Sequence, residues 1–348
     1  MAPEKWRITT SPSFLTEGLF GQIVLYVFEV LPKLYSNRVF PEWQITSLVY
    51  GFEPDFTVIP GVFDLSYTPN THTTDVNLAD LKANCVILGN QWETLHEIWT
   101  AYFNIPSRTV KRANAFGDLS HAIGLHYRGK DKNTDSKQTN PVSHDDFLTL
   151  INDFISNHED IDTIFVASDE FPIKQAIKHN YKDKRVIDSG ESVFWKDLEK
   201  TNNFAKADHA VLDCLLLSRC KYLIKNQSAL SGFAKVLNPK IEAYRIAASK
   251  FLSALAPPYF PDGYIPLLTS EDPNCKAILN RLLDKDWTQN KKAMQKFGKP
   301  FATMPPSIWS HSFLMERLSF RWKIKNTAQR TWNKLHLEKA RSALKKAF

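Results

Sequence analysis

Between residues 122 and 247 the chain repeats one pattern: a short apolar run, a polar loop, then a helical stretch. The runs are 122–126 (AIGLH), 163–167 (TIFVA), 185–187, 222–224 and 240–246. Most lack the in–out alternation of a strand with one wet face, so they read as strands buried on both faces. The stretches between them, 145–158, 172–180, 207–220 and 228–237, carry helical spacing, with Ser143 a candidate N-cap for the first. Strands separated by helices predict an α/β fold with a parallel sheet. Parallel sheets of this kind bind ligands in the crevice beyond the C-terminal ends of their strands. The polar residues that follow each apolar run are therefore the first place to look for chemistry.

The rest of the chain is less regular. Residues 19–35 read as one long apolar helix entered through a glycine turn, with Pro32 ending or kinking it. Residues 43–67 alternate short apolar runs with Gly and Pro, and 83–88 (ANCVIL) is a further strand candidate. A chain of 348 residues with 43% hydrophobic content is enough for two domains. Four scattered cysteines, with no CxxC pair and no His/Cys cluster at ligand spacing, predict reduced thiols in a reducing compartment. The N-terminal residues lack the pattern of a signal peptide, and the apolar run 19–31 is short for a bilayer span and contains Gly21, Gln22 and Glu29.

The net charge of +7 is local. Residues 316–348 hold ten Lys/Arg and two acids, which leaves 34 bases and 35 acids in the remainder. A near-neutral body argues against a nucleic-acid-binding protein and isolates the tail as a separate feature. From residue 312 the tail lacks Pro and Gly and interleaves Trp322, Trp332 and Phe348 with its cations. That composition predicts a basic amphipathic helix suited to an anionic membrane surface. A helix packed back on the body is the other outcome, and an anionic partner a third.

Five groups of residues carry candidate chemistry. The stretch 126–132 (HYRGKDK) follows the first strand: Arg128 can grip a phosphate bidentately and Lys132 adds charge. A solvated loop explains the same residues. Ser168, Asp169 and Glu170 close the second strand, where carboxylates suit hydroxylated ligands and where an N-cap is the plain alternative. Asp213 lies among Val211, Leu212, Leu215, Leu216 and Leu217, an expensive place for a carboxylate without a partner. It serves either to read a base or ribose or to form a buried structural pair. Asn226, Gln227, Ser228 and Ser231 stand at the entry to a helix, suited to a diphosphate or to ordinary capping. Gly18, Gly21 and Gln22 form a weaker glycine turn that lets backbone amides approach a phosphate. The pair Asp160/Asp162 spells the DxD of metal-dependent sugar transferases, yet it precedes a strand, at the wrong end of a parallel sheet. No GxSxG, P-loop or GxGxxG stands at a strand-to-helix junction, which disfavours hydrolase, kinase and dehydrogenase readings.

The order and spacing of these pieces resemble the superfamily of α1,2-, α1,6- and protein O-fucosyltransferases, nearest the α1,6 and nodulation group. AIGLHYRGKDK resembles its first peptide motif, TIFVASDE its next strand, GLFGQIVLYVF its N-terminal glycine turn. HAVLDCLLLSRCKYLIKNQSALSGFAKVLNP resembles its third motif, the most specific of the four. The resemblance covers about half the chain. It implies a GT-B-like architecture, two Rossmann-like domains facing a cleft, here 1–118 on the acceptor side and 119–300 on the donor side, with 301–348 as the basic helical tail.

It also implies an inverting transfer of fucose from GDP-fucose to a glycan hydroxyl, without metal or other cofactor. His126 and Asp213 would contact guanine, Arg128 the β-phosphate, and Ser228, Ser231, Lys132 and the 18–22 turn would complete the diphosphate cradle. Asp169 is implied to be essential. The catalytic base stays open among Asp131, Asp135 and Glu170. The family's second arginine is Gly129 here, and Ala229 stands where a second serine is usual. GDP-mannose, another nucleotide sugar, or a non-catalytic glycan-binding role are the alternatives. The expected setting is cytoplasmic, peripheral at the inner membrane face through 312–348, with no nucleic-acid partner.

Overall fold

The structure is a computed structural model. It describes residues 19–25, 31–36, 38, 40, 45–46, 57–59, 61–68, 91–129, 140–190, 203–248, 265–284 and 286. Residues 18, 83–88, 130–139 and 287–348 lie outside it, and with them Gly18, Lys132, Asp131, Asp135 and the basic tail.

The repeating segment forms a five-stranded parallel sheet. In chain order its elements are β5 (Ala122–Tyr127), α5 (His144–Ser156), β6 (Thr163–Ser168), α6 (Phe171–Asn180), β7 (Arg185–Ile187), α7 (Asn203–Arg219), β8 (Tyr222–Lys225), α8 (Ala229–Leu237) and β9 (Glu242–Arg245). The strand order is β7-β6-β5-β8-β9, every neighbouring pair parallel. Strands β5 and β6 are buried at every position, as continuous apolar runs require. A last helix, α9 (Pro273–Leu282), is capped by Asp272, whose carboxylate accepts from the Cys275 amide at 2.8 Å. Ser143 caps α5 in the same way, accepting from the Asp146 amide at 3.1 Å.

The two faces of the sheet have separate cores. Ile123, Leu125, Tyr127, Ile164 and Val166 pack with Phe147, Leu150 and Ile151 of α5, Ile173 and Ile177 of α6, and α9. Ala122, Phe165, Ala167 and Leu223 pack with α7 and α8 on the other face. Both helices after β5 and β6 cover one face and both after β7 and β8 the other, as right-handed crossovers dictate once the strand order reverses.

The described elements before residue 119 are α1 (Leu19–Leu25), α2 (Leu31–Ser36), β1 (Ile45–Thr46), β2 (Thr57–Ile59), β3 (Asp64–Leu65), α3 (Trp92–Tyr102), β4 (Phe103–Asn104) and α4 (Ser107–Asn114). Strands β1–β2 and β3–β4 form two antiparallel pairs. The expected single helix over 19–35 is instead two, and Pro32 is the second residue of α2 rather than the end of a helix. Proline is tolerated there because first-turn amides have no helical acceptor. Phe20, Phe63, Trp99 and Tyr102 share one continuous core with α7 and α8. Polar contacts follow the same seam: Asp208 of α7 accepts from Thr109 at 3.0 Å and pairs with Arg108 and Arg112 of α4. The His96 ring meets the Val236 carbonyl at 2.9 Å. Among the described residues no helix is long and apolar enough to cross a membrane.

Candidate active site

The strand order reverses between β5 and β8, so the crevice beyond their C-terminal ends is the expected ligand site. Two predicted loops meet there. The side chain of Asn226, buried after β8, stitches them: its Oδ1 accepts from the Arg128 amide at 3.0 Å and its Nδ2 donates to the Arg128 carbonyl at 2.7 Å. The Gly129 amide donates to Asp169 Oδ1 at 3.3 Å, tying the same loop to the end of β6. His126, Arg128, Asp169 and the 226–228 loop are therefore one hydrogen-bonded unit.

His126 points to the α7 side of the sheet, the side that Gly124 faces. A Cβ at Gly124 would meet Leu217 at 2.9 Å and Cys220 at 3.3 Å, so α7 lies almost against the β5 backbone there. Helix α7 leads into β8, which is parallel to β5, and so runs against the strand direction. From Gly124 to His126 is about 6.6 Å along the strand. From Leu217 back to Asp213 is about 6 Å along the helix. Asp213 therefore reaches the level of His126 on the same side of the sheet.

Both side chains keep an unsatisfied atom. Among the described residues, His126 Nδ1 and Asp213 Oδ1 are buried and have no hydrogen-bond partner. Leaving such groups unpaired costs about 1–3 kcal/mol each, so both atoms are open to a polar partner from outside the described residues. Burial holds His126 well below the ordinary imidazole range, and the neighbouring Lys225 and Arg128 charges push the same way. The ring is neutral at working pH. Burial pushes the Asp213 carboxyl up, while His209, the Ser189 hydroxyl and Lys174 favour its charged form and Asp188 opposes it. The Ser189 hydroxyl also meets His209 Nε2 at 2.9 Å, and that nitrogen lies 3.9 Å from Asp213 Oδ2. One carboxylate oxygen is thus held, and the other is open.

A second cluster lies on the opposite side of the β5 and β6 ends. Glu170 occupies the N-cap position of α6, but its carboxylate does not cap the helix. It turns to His144, with Oε2 and Nε2 2.8 Å apart. Its other oxygen fills the place of a side chain at 129: a Cβ on Gly129 would lie 1.7 Å from Glu170 Oε1 and 2.8 Å from the Tyr127 ring. Only glycine permits that approach. The alternative reading of Ser168 or Asp169 as the N-cap does not hold, because Glu170 takes that position, Ser168 Oγ accepts from the Glu170 amide at 3.0 Å and Asp169 accepts from Gly129.

The remaining predicted residues divide. Ser228 is the N-cap residue of α8, with a hydroxyl that makes no cap bond. Ser231 is fully buried and donates to the Ser228 carbonyl at 3.4 Å, so its hydroxyl serves its own helix. Gly21 is not in a turn before a helix: it sits in the first turn of α1, buried. The Gln22 side chain lies outside the described residues. Asp160 stands at the opposite end of the sheet, its carboxylate taken by Lys221 at 2.7 Å. His144, Ser189, His209 and Lys225 are absent from the sequence prediction. Lys225, fully buried beside His126, carries a local signal, a lysine ending an apolar strand. The other three carry no such signal: His144 meets Glu170, and Ser189 meets His209, only through the fold.

No family profile and no curated protein matches the chain. It is similar to solved structures of fucosyltransferases, the family its motifs resemble. These include the NodZ alpha-1,6-fucosyltransferase soaked with GDP-fucose, 18% identical, over 43% of this chain and 48% of that one, with a TM-score of 0.31. FUT1 of Arabidopsis thaliana, in complex with GDP, is 14% identical over 54% and 44%, with a TM-score of 0.34. POFUT1 in complex with GDP-fucose is 13% identical over 44% and 48%, with a TM-score of 0.32. The chain spans about half the length of each of these structures.

Proposed function

We propose that this chain is a glycosyltransferase whose donor is a guanosine diphosphate sugar, with 119–300 as the donor half of a GT-B-like enzyme and 1–118 on the acceptor side. The observation that carries this reading is the pair of buried open atoms, His126 Nδ1 and Asp213 Oδ1, brought to one level at the strand-order reversal. Guanine presents two N–H donors on one edge, and a carboxylate is an acceptor-only group that fits them. A neutral imidazole supplies a donor or an acceptor to the same ring. Arg128, whose backbone Asn226 fixes, would take the β-phosphate, and Ser228, the N-cap residue of α8, would add its hydroxyl.

The reaction is an in-line displacement with inversion. The acceptor oxygen bonds to the anomeric carbon while the bond to the diphosphate oxygen breaks, its electron pair leaving with GDP. The acceptor proton passes to a carboxylate, for which Glu170 is the described candidate beside Asp131 and Asp135. Negative charge grows on the diphosphate, and a fixed guanidinium there stabilises the transition state more than the ground state. Lys132 and the 18–22 amides would assist, and no step is assigned to a metal.

GDP-fucose is the first donor, and one observation bears on the alternative. Where the resemblance expects a second arginine, the space beside Gly129 holds the Glu170 carboxylate. A negative group there changes which sugar hydroxyls are bound, and GDP-mannose becomes the second donor to test.

Thermal denaturation with nucleotides tests the reading. GDP at about one hundred times its Kd is expected to stabilise the protein by about 2.7 kcal/mol, while UDP and ADP at the same concentration leave the melt unmoved. EDTA should not diminish the GDP effect. Equal stabilisation by all three nucleotides would remove the guanine assignment.

A further inference from the structure

We propose that Phe171, Glu170 and His144 form a saccharide-binding subsite at the ends of β5 and β6; this names a docking point for the acceptor glycan and rests on the transferase reading. Phe171 is 61% exposed and stands alone among the described residues as a large hydrophobic side chain left in water. It opens α6, directly after the strand-end acids. The α6 face that enters the core is carried by Ile173 and Ile177, so the fold gains nothing from an aromatic ring at 171.

The polar neighbours complement that ring. A sugar presents a C–H face, which an aromatic ring covers, and a rim of hydroxyls, which a carboxylate accepts. Glu170 has been withdrawn from capping its helix and fixed instead by His144 at 2.8 Å. A carboxylate offers roughly four acceptor positions, and His144 occupies one of them. The His144 ring is itself held edge-on to Tyr127, with centroids 5.1 Å apart at 69°. Tyr127 is locked by its hydroxyl, which donates to the Val142 carbonyl at 2.7 Å. Gly129 clears the space into which the carboxylate settles. An exposed ring beside a positioned carboxylate, at the ligand end of a parallel sheet, is a site for a hydroxylated ring. His144 is the positioning residue for Glu170.

The test uses the full-length protein and three probes, maltose, cellobiose and lactose at millimolar concentration, read by saturation-transfer difference NMR. At least one probe is expected to receive saturation on its ring C–H protons. Phe171→Ala and Glu170→Gln should each weaken that signal by about tenfold, the loss of one stacking or charge-assisted contact. His144→Phe should weaken it as well, whereas His144→Gln, which still donates to Glu170, should restore it. The GDP-induced rise in melting temperature should persist in every variant, which separates a lost subsite from a lost fold. No saturation transfer to any of the three probes, or a signal that survives both Phe171→Ala and Glu170→Gln, overturns the proposal. Saccharide binding that depends on Phe171 in a protein indifferent to GDP would leave the subsite standing and remove the nucleotide-sugar reading.

Discussion

Asp213 is a residue whose cost and use have opposite signs. Burial raises its carboxyl above the ordinary carboxylate range in the folded, ligand-free protein. A raised folded value means that the native state binds the proton more readily than the unfolded chain. The stability this provides is present in acid and lost as pH rises through the folded value, so above that value the ionised group weakens the fold. Asp213→Asn removes that charge without changing shape. The variant is expected to melt higher than the parent at neutral pH without ligand, and to bind GDP about tenfold or more weakly, because an amide offers one acceptor where a carboxylate offers two. Acidification should mimic the second effect. GDP affinity should fall as pH drops through the raised Asp213 value, and calorimetry should find that acid limb missing in Asp213→Asn. Burial holds His126 well below the ordinary imidazole range, so the ring adds no charge to the pocket at neutral pH. An unchanged GDP affinity in Asp213→Asn would make the carboxylate a structural partner of His209 and Ser189.

At the scale of elements, the β5–loop–α5 unit and the β6–α6 junction interlock through Gly129. Gly129→Ala places a methyl 1.7 Å from Glu170 Oε1 and 2.8 Å from the Tyr127 ring. The carboxylate can swing away only by leaving His144, and the tyrosine is fully buried with its hydroxyl bonded. The variant is expected to lose about 1–3 kcal/mol in denaturant unfolding, the usual cost of an overpacked position. Coupling to Glu170 can be read directly: in the Glu170→Ala background most of that loss should disappear, and an additive double variant would refute the interlock. Much of this region is legible in sequence for a simple reason. Strands buried on both faces, such as 122–127 and 163–168, have no alternative to continuous apolar composition, so their limits fall within a residue or two of the structure. The helices α3 and α4 are not anticipated for different reasons: α3 does carry Trp92, Leu95, Ile98, Trp99 and Tyr102 at helical spacing, with His96 and Glu97 beside that stripe, whereas α4 buries Thr109 and Ala113 among Arg108, Lys111 and Arg112 and shows no apolar stripe. Those polar residues are where the helices meet α7, α8 and solvent. The loop residues Arg128, Asp169 and Asn226 stand out as polar groups after apolar runs, but no local spacing reveals that Asn226 joins the first two elements. His209 and Asp213 stand four apart on α7, a local spacing, but Ser189 reaches them from the segment after β7, and that meeting is a property of the tertiary fold.

At the scale of the whole molecule, the described N-terminal elements and the parallel sheet share one apolar core, so the body should melt as a cooperative unit. Against that near-neutral body, residues 316–348 carry ten cations and two acids. Their structure lies outside the described residues, and the proposal for them rests on composition. A helix with Trp322, Trp332 and Phe348 among lysines and arginines has both attributes of an interfacial segment: rings for the headgroup region and charge for anionic lipid. Each cation near such a surface contributes about 1 kcal/mol, an interaction screened within about 10 Å at 0.1 M salt. The full-length protein is therefore expected to float with vesicles containing phosphatidylserine at low salt, and to be released as salt is raised. It should ignore vesicles made of phosphatidylcholine alone. Truncation after His311 should abolish flotation while leaving the GDP-induced rise in melting temperature unchanged, which would mark the tail as the membrane-binding element. A truncated body that no longer melts cooperatively, or a full-length protein that stays in solution beside anionic vesicles at low salt, would assign the helix to the core.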